Sequence, residues 1–291
     1  MHCALEKCTT HHFADNTNLL YANKDPKIVQ KVLNKDLDLL FEWLCANRLS
    51  LNVSKTEFFI FRPPRKALRN RIVLALNRNK IHESFKIKYL GLILDTRLTW
   101  KHHINELSKK LSKAIGMLYK IRKLCPKTIL RSLYFSIFHS HMTYGLPVWG
   151  NANVNNINRI QTLQKRGVRA ISNSDFNAHT APLFKDLNIL KINDQLDHQN
   201  SSLLWDLDND NMPEALPSYF TQVNEIYGYE TRLATSNMYF VKKANTLHAR
   251  NYFQFQGSKR LNDLKSTGLY NNSVNKPMFL NALKKTVIDQ Y

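Results

Sequence analysis

Residues 11–21 read His-His-Phe-Ala-Asp-Asn-Thr-Asn-Leu-Leu-Tyr. Apolar residues flank a short polar centre at Asp15, Asn16 and Thr17, which predicts a β-hairpin with its turn at that centre and a solvent-exposed tip. Just downstream, Asp25 followed by Pro26 marks a helix start. Ile28, Val29, Val32, Leu33, Leu37, Leu40, Phe41 and Leu44 then recur at helical spacing as far as Asn47. So broad an apolar face has to pack on a sheet or another helix. A hairpin followed at once by such a helix points to an α+β fold.

The same alternation continues outward. Thr56 to Phe61 reads as a strand stopped by Pro63 and Pro64. A second hairpin is predicted across Ile72 to Ile81, turning at Asn77, Arg78 and Asn79, and a strand pair from Lys86 to Leu94 around Gly91. After Asp95 the pattern turns helical. Helices are predicted from Trp100 to Leu124, from Pro126 to about Tyr144, from Asn153 to about Ile171 and from Ile192 to Leu207. Beyond Pro213 and Pro217 the chain is aromatic and Asn-rich, with Tyr227, Tyr229, Tyr239, Phe240, Tyr252, Phe253 and Phe255. That stretch predicts a small α+β or irregular extension, closing on an amphipathic helix from Pro277 to Gln290. The division expected is 1–98, 99–212 and 213–291, with no internal repeat of fixed period.

With 291 residues and 43% hydrophobic content the chain is long enough to bury a real core. Its 42 Lys and Arg against 22 Asp and Glu give a formal net charge of +20, spread along the sequence, so a polyanion is the expected partner. Cys3, Cys8, Cys45 and Cys125 show neither paired short spacing nor a zinc-type histidine pattern, which fits a reducing compartment. Met1 to Thr10 carries Glu6 and Lys7 and has no apolar core, unlike a signal peptide. The most apolar stretch, Leu133 to Trp149, contains His139 and His141 and ends in Gly145 and Pro147, so it reads as a buried helix rather than a membrane span. A soluble intracellular protein, cytoplasmic or nuclear, is expected.

Several segments carry a family likeness. Phe13, Ala14, Asp15 and Asn16 differ by one residue from the aromatic-Ala-Asp-Asp tetrapeptide of reverse transcriptases. Ala46 to Thr56 follows, then Tyr89 to Asp95 leading to Leu98, Thr99, Trp100, Lys101, His102 and His103, and then Ser132 to Gly150 with Leu163, Gln164, Lys165 and Arg166. In this order, from His11 to about Leu190, the chain resembles the reverse transcriptases of non-LTR retrotransposons of the jockey-like kind. The resemblance implies an N-terminally truncated fragment: a partial polymerase palm of antiparallel hairpins and a helix, then a mainly α-helical thumb-like domain and a small C-terminal extension. It implies RNA-templated DNA synthesis by two-metal nucleotidyl transfer, Mg²⁺ as the metal, and RNA and DNA template and primer as partners, with no membrane.

Carried over residue by residue, Asp15 would be a metal-binding catalytic aspartate and Asn16 a degenerate metal position. Lys55 would lie near the incoming phosphates as a second catalytic residue. Tyr89, Leu90 and Gly91 would form the primer grip. The thumb-like helices would offer Lys109, Lys110, Lys113, Lys120, Arg122, Lys123, Lys165, Arg166 and Arg169 to nucleic acid. Asn16 brings an amide oxygen without charge, and the stretch before Asp15 holds neither the family's earlier palm aspartate nor its fingers, so the chain alone is expected to be inactive. Without the resemblance, Asp15 and Asn16 are ordinary turn residues, Lys55 a solvated strand end, Gly91 a β-bulge, and the lysines a solvated helix face. The alternative function is a noncatalytic basic nucleic-acid-binding module, or a pseudogene product without function.

Overall fold

The computed structural model describes residues 5–14, 16–50, 52, 55–62, 71–213, 216–226, 237–245, 253–271 and 275–291. Strands and helices are both present, and the chain divides into two compact units, Met1–His102 and His103–Tyr291.

The first unit opens with strands β1 (Thr9–Phe13) and β2 (Asn16–Leu20), paired antiparallel from Thr9↔Leu20 to Phe13↔Asn16. Its turn comes earlier than the sequence suggests. Asn16 and Thr17 are strand residues opposite Phe13 and His12, while Ala14 takes the left-handed φ of 52° that a tight hairpin connection demands. Thr10 alone among the strand residues is buried, so polar residues run through the strands and do not mark the turn. Asp15 lies outside the described residues, as do Pro63 and Pro64.

Helix α1 (Pro26–Ala46) starts where predicted: Asp25 is extended, its side chain accepts from the Lys27 N–H at 2.9 Å, and Pro26 follows at the first helical position. It ends in a Schellman arrangement, with Leu49 N–H donating to Leu44 O at 2.9 Å and Arg48 N–H to Cys45 O at 3.0 Å. Arg48 sits at the left-handed position, φ 56°, that glycine usually fills. The inner face of α1 buries Leu37, Leu40 and Leu44 against Ile72, Leu74, Leu76 and Ile81.

The remaining strands of this unit are short. β3 (Glu57–Phe58) runs parallel to β6 (His82–Glu83), a shorter strand than the Thr56–Phe61 expected. β4 (Ala75–Leu76) pairs with β5 (Asn79–Lys80) through Asn77 and Arg78, both left-handed, as the predicted turn requires. β7 (Lys86–Tyr89) pairs with β8 (Leu92–Asp95). Side chains of α1 complete what these strands leave open. Gln30 accepts from Val73 N–H, and Asn34 both accepts from Ala75 N–H and donates to Val73 O, at 3.0–3.1 Å.

In the second unit, α2 (Lys101–Ile121) buries Ile104, Leu107, Leu111, Ala114, Ile115 and Leu118. Next comes one unbroken helical segment: α3 (Lys127–Leu133), a π-helical stretch (Tyr134–His139) and α4 (Ser140–Thr143). Leu130, Tyr134, Phe138 and Met142 are all 0–2% exposed. A step of four residues overshoots a full α-helical turn by about 40°, so that stripe would wind off its face in a regular helix. The wider π turn takes up the excess and keeps it aligned.

Helix α5 (Leu146–Trp149) follows Gly145, which is left-handed at φ 60°. α6 (Val154–Ile171) approaches the π stretch through Gly167, where a Cβ would come within 3.2 Å of the Tyr134 ring. α7 (Thr180–Asp186) leads to α8 (Ile192–Asp208). The fully buried Gln164 of α6 clamps that junction, donating to Leu190 O at 2.8 Å and accepting from Ile192 N–H at 2.9 Å.

Downstream, the described residues are more helical than the expected α+β or irregular extension. They comprise α9 (Val223–Ile226), α10 (Phe253–Ser266), α11 (Gly268–Asn271) and α12 (Lys276–Asp289), with one β-bridge, Gln222↔Tyr239. Aromatic residues stand where aliphatic ones usually mark helical period: Trp205 of α8 stacks on Phe279 of α12 at 4.8 Å and tilts against Tyr270 at 4.8 Å. Tyr227, Tyr229 and Tyr252 fall outside the described residues. No described helix is long and apolar enough to cross a membrane.

Asp36 of α1, 1% exposed, accepts from Cys8 N–H at 2.8 Å and Lys7 N–H at 3.2 Å. Burial opposes its charge, but hydrogen bonds from the Cys8 thiol and from the N–H groups of Cys8, Lys7 and Glu6 outweigh it and hold the carboxyl below its ordinary value. Burial, then the hydrogen bond to Asp36 and its charge, push the Cys8 thiol up to about 12, so it stays a donor at neutral pH. Asp36→Ala is expected to cost about 2 kcal/mol at pH 7. The carboxylate's contribution is complete above its unfolded value of about 3.9 and fades as pH falls through the lower folded value. The gap between wild-type and variant urea midpoints is therefore expected to close only in strong acid.

Candidate nucleic-acid interface

The residues singled out by sequence fall on three local structures. On the β1–β2 hairpin, Asn16 is exposed at the start of β2, and His12 Nδ1 lies 3.2 Å from Thr17 Oγ1. Asn16 offers a neutral amide oxygen where hard divalent cations favour anionic oxygen. Among the described residues no group of three or more His, Cys, Asp or Glu could hold a metal. Lys55 is exposed, its N–H donating to Asn52 O at 3.1 Å, and Thr56 Oγ1 donates to the same carbonyl at 3.1 Å.

The β7–β8 hairpin brings Tyr89, Leu90 and Gly91 together. Tyr89 pairs with Leu92, so Leu90 and Gly91 form a two-residue turn, both left-handed at φ 44° and 83°. That is the handedness of a type I′ turn, whose twist matches the flanking strands. Gly91 adopts it without strain, whereas Leu90 carries a conformation that costs an L-residue roughly 1–2 kcal/mol. Asp95, at the end of β8, fixes the loop that follows. Its buried carboxylate accepts from the N–H groups of Arg97, Thr99 and Trp100 at 3.0–3.2 Å and from Thr99 Oγ1 at 3.0 Å. The sequence reading gave Asp95 no role of its own. Its signal was available in Thr99, a hydroxyl four residues downstream that can fold back on the carboxylate.

On α2 the lysines do share a face. At about 100° per residue, Lys109, Lys113 and Lys120 lie opposite the buried Ile104, Leu111 and Leu118 while Lys110 lies on the flank, and all four are exposed. Lys123, just beyond the helix, is exposed as well. Lys109 pairs with Glu106 at 2.7 Å, which lowers its contribution to the field. Arg122 is turned inward: it lies 4.8 Å over the Tyr119 ring and donates to Ser174 O at 3.4 Å. On α6, Arg166 is exposed and stands 6.0 Å from the Phe176 ring, Lys165 is half-buried, and Arg169 Nε donates to Ala178 O at 2.9 Å. Arg122 and Arg169 thus spend part of their donor fork on the chain's own backbone. On the flank of α2, burial and then the charge of Lys110 hold His103 below its ordinary value.

An exposed lysine face or a short hairpin occurs on many unrelated proteins, and sequence comparison narrows the choice. The chain is similar to the RNA-directed DNA polymerases of mobile elements. It is 28% identical over 193 residues to the probable RNA-directed DNA polymerase from transposon BS of Drosophila melanogaster, covering 65% of this chain and 21% of that protein. To the RNA-directed DNA polymerase from mobile element jockey it is 26% identical over 194 residues in Drosophila melanogaster, covering 63% of this chain and 20% of that one. In Drosophila funebris the figure is 28% over 168 residues, 56% and 18% of the two chains. The match thus spans about a fifth of the length of these relatives. No protein-family model and no solved structure matches the chain.

Two glycines test the local geometry with opposite signs. Gly91→Ala forces a Cβ into a left-handed turn and is expected to cost about 1 kcal/mol. Gly116→Ala, on α2 with nothing within 4 Å of the added Cβ, is expected to stabilise by about 0.5–1 kcal/mol. Thermal unfolding monitored by circular dichroism reads both.

Proposed function

We propose that the chain corresponds to the later palm and the thumb of a retrotransposon reverse transcriptase, and that by itself it binds nucleic acid without extending a primer. The ancestral activity is RNA-templated DNA synthesis with Mg²⁺. In this reading the β7–β8 turn is the primer grip and Lys55 lies toward the incoming phosphates. The exposed lysines of α2 track a template–primer backbone. The observation that carries it is the co-occurrence of the similarity to RNA-directed DNA polymerases with a one-sided lysine face opposite a buried core.

Binding of this kind is a phosphate interaction and releases counterions, so it weakens steeply with salt and discriminates little between sequences. A cluster of exposed lysines holds phosphates as point charges, without the bidentate geometry that reads bases. Loss of catalysis follows from Asn16: nucleophile activation and leaving-group stabilisation both depend on metal held by anionic oxygen.

Primer extension on an RNA template with a DNA primer, in Mg²⁺ and in Mn²⁺, is expected to give no incorporation. Reproducible incorporation that Asp15→Ala abolishes would overturn that half of the reading. For binding, fluorescence anisotropy of a labelled RNA–DNA duplex is expected to fall linearly in log affinity with log salt. Lys110→Ala and Lys113→Ala should each flatten the slope by about 1. If no salt-dependent binding appears at low ionic strength, the lysine face is only a solvated surface.

A further inference from the structure

Helix α6 ends in a Schellman arrangement: Asn173 is left-handed at φ 53°, its N–H donates to Ala170 O at 3.3 Å, and Ser174 N–H donates to Arg169 O at 3.1 Å. A tight turn from Asp175 to Ala178 follows, closed by Ala178 N–H donating to Asp175 O at 3.1 Å. Arginines hold both of its shoulders. Arg122, just beyond α2, donates to Ser174 O at 3.4 Å, and Arg169 of α6 donates to Ala178 O at 2.9 Å. At the tip of this turn stands Phe176, 66% exposed, whereas Phe184 on α7 is fully buried.

A lone exposed apolar side chain is ordinary on a protein surface. Two features set Phe176 apart. Its backbone is fixed from α6 and from the end of α2 together, so the ring is presented at a set place. Across the ring, the Arg166 guanidinium lies 6.0 Å from the centroid, the outer reach of a cation–π contact, while the other described pairs close to 3.7–5.0 Å. The guanidinium therefore does not close on the ring face. Arg166 is exposed and pairs with no carboxylate among the described residues, Lys123 next to Arg122 is exposed as well, and the turn's own acid is the exposed Asp175.

We propose that Phe176 is a stacking platform for an unpaired nucleobase, with Arg166 holding a neighbouring phosphate. The two parts of the site select the occupant. An apolar protein surface laid on the ring would strip water from the Arg166 charge and give it no anion in return. A single strand supplies a flat π face for the ring and phosphates for the guanidinium at once. In a duplex the bases are stacked on one another, and their faces are out of reach. Resting on the nucleic-acid reading above, the platform adds a preference for single over double strands, which a face of lysine point charges lacks.

Fluorescence anisotropy on the full chain tests it with labelled probes of equal length: a dT strand, an abasic strand with the same number of phosphates, and an RNA–DNA duplex. The wild type is expected to bind the dT strand at least about fivefold more tightly than the abasic one. Phe176→Ala and Phe176→Leu should each erase that difference and leave duplex affinity and its salt slope unchanged, while Phe176→Trp should keep it. A wild type that binds the duplex but holds both single strands equally overturns the platform alone, whereas one that binds no probe sinks the nucleic-acid reading with it. Undiminished dT preference in Phe176→Leu refutes stacking and leaves an apolar docking point. Should the alanine and leucine variants fold poorly, Phe176→Trp decides: quenching of its added emission by the dT strand and not by the abasic one supports stacking, and equal response to both refutes it.

Discussion

A backbone N–H taken out of water needs an acceptor, and strands of two to five residues supply few to one another. In this chain the deficit is met from outside the sheets. Gln30 and Asn34 of α1 satisfy the backbone at Val73 and Ala75, Asp36 satisfies Lys7 and Cys8, Asp95 satisfies Arg97, Thr99 and Trp100, and Gln164 satisfies Ile192. Each of these side chains reaches backbone at or next to the end of a regular element. They decide where the chain goes next, and the apolar clusters form on the frame they hold. Removing such an acceptor costs most where the donor it leaves behind is buried, as at Trp100 and Ile192.

The part of this frame visible in the sequence is the part written in local chemistry. Asp25-Pro26 announces α1, Asn77 and Arg78 announce a turn, and Gly91 marks a tight hairpin, because each states its own backbone preference. The apolar period of α2 and α6 is equally direct. Less legible was anything decided by distant contact. Asn16 and Thr17 are polar because the hairpin faces water, and only pairing with Phe13 and His12 makes them strand residues. Thr56 to Phe61 has strand-forming residues, yet its extent is set by how much of β6 it meets. In the C-terminal segment, Trp205, Tyr270 and Phe279 form a core whose members lie up to 74 positions apart, beyond the reach of any window of periodicity.

The candidate site shows the same split. That lysines would line one side of α2 could be read from spacing. That Arg122 and Arg169 would turn to Ser174 and Ala178 could not, since both acceptors are carbonyls on loops. A count of basic residues therefore overstates the surface offered to a polyanion. On α2 the lysines, each one point charge on a long stem, stay in solvent, while Arg122 there and Arg169 on α6, with several donors in a fork, are drawn into holding the chain together.

The π-helical stretch between Leu133 and Ser140 bears on how this segment tolerates change in length. Its stripe of Leu130, Tyr134, Phe138 and Met142 is spaced for a helix that takes one residue more than an α-helix would to cover the same ground. Deleting a single residue there would not shorten a loop. It would let the segment relax to regular α-helix over the same ground, so that what lies beyond keeps its angle, whereas a further insertion, or a deletion outside the π turn, would swing it round by about 100°. A swing of that size would carry Met142 out of the core and bring polar neighbours in. Substitution in this stretch is a question of side-chain volume, whereas insertion and deletion are questions of rotation, and the aromatic pair Tyr134 and Phe138 fixes the angle.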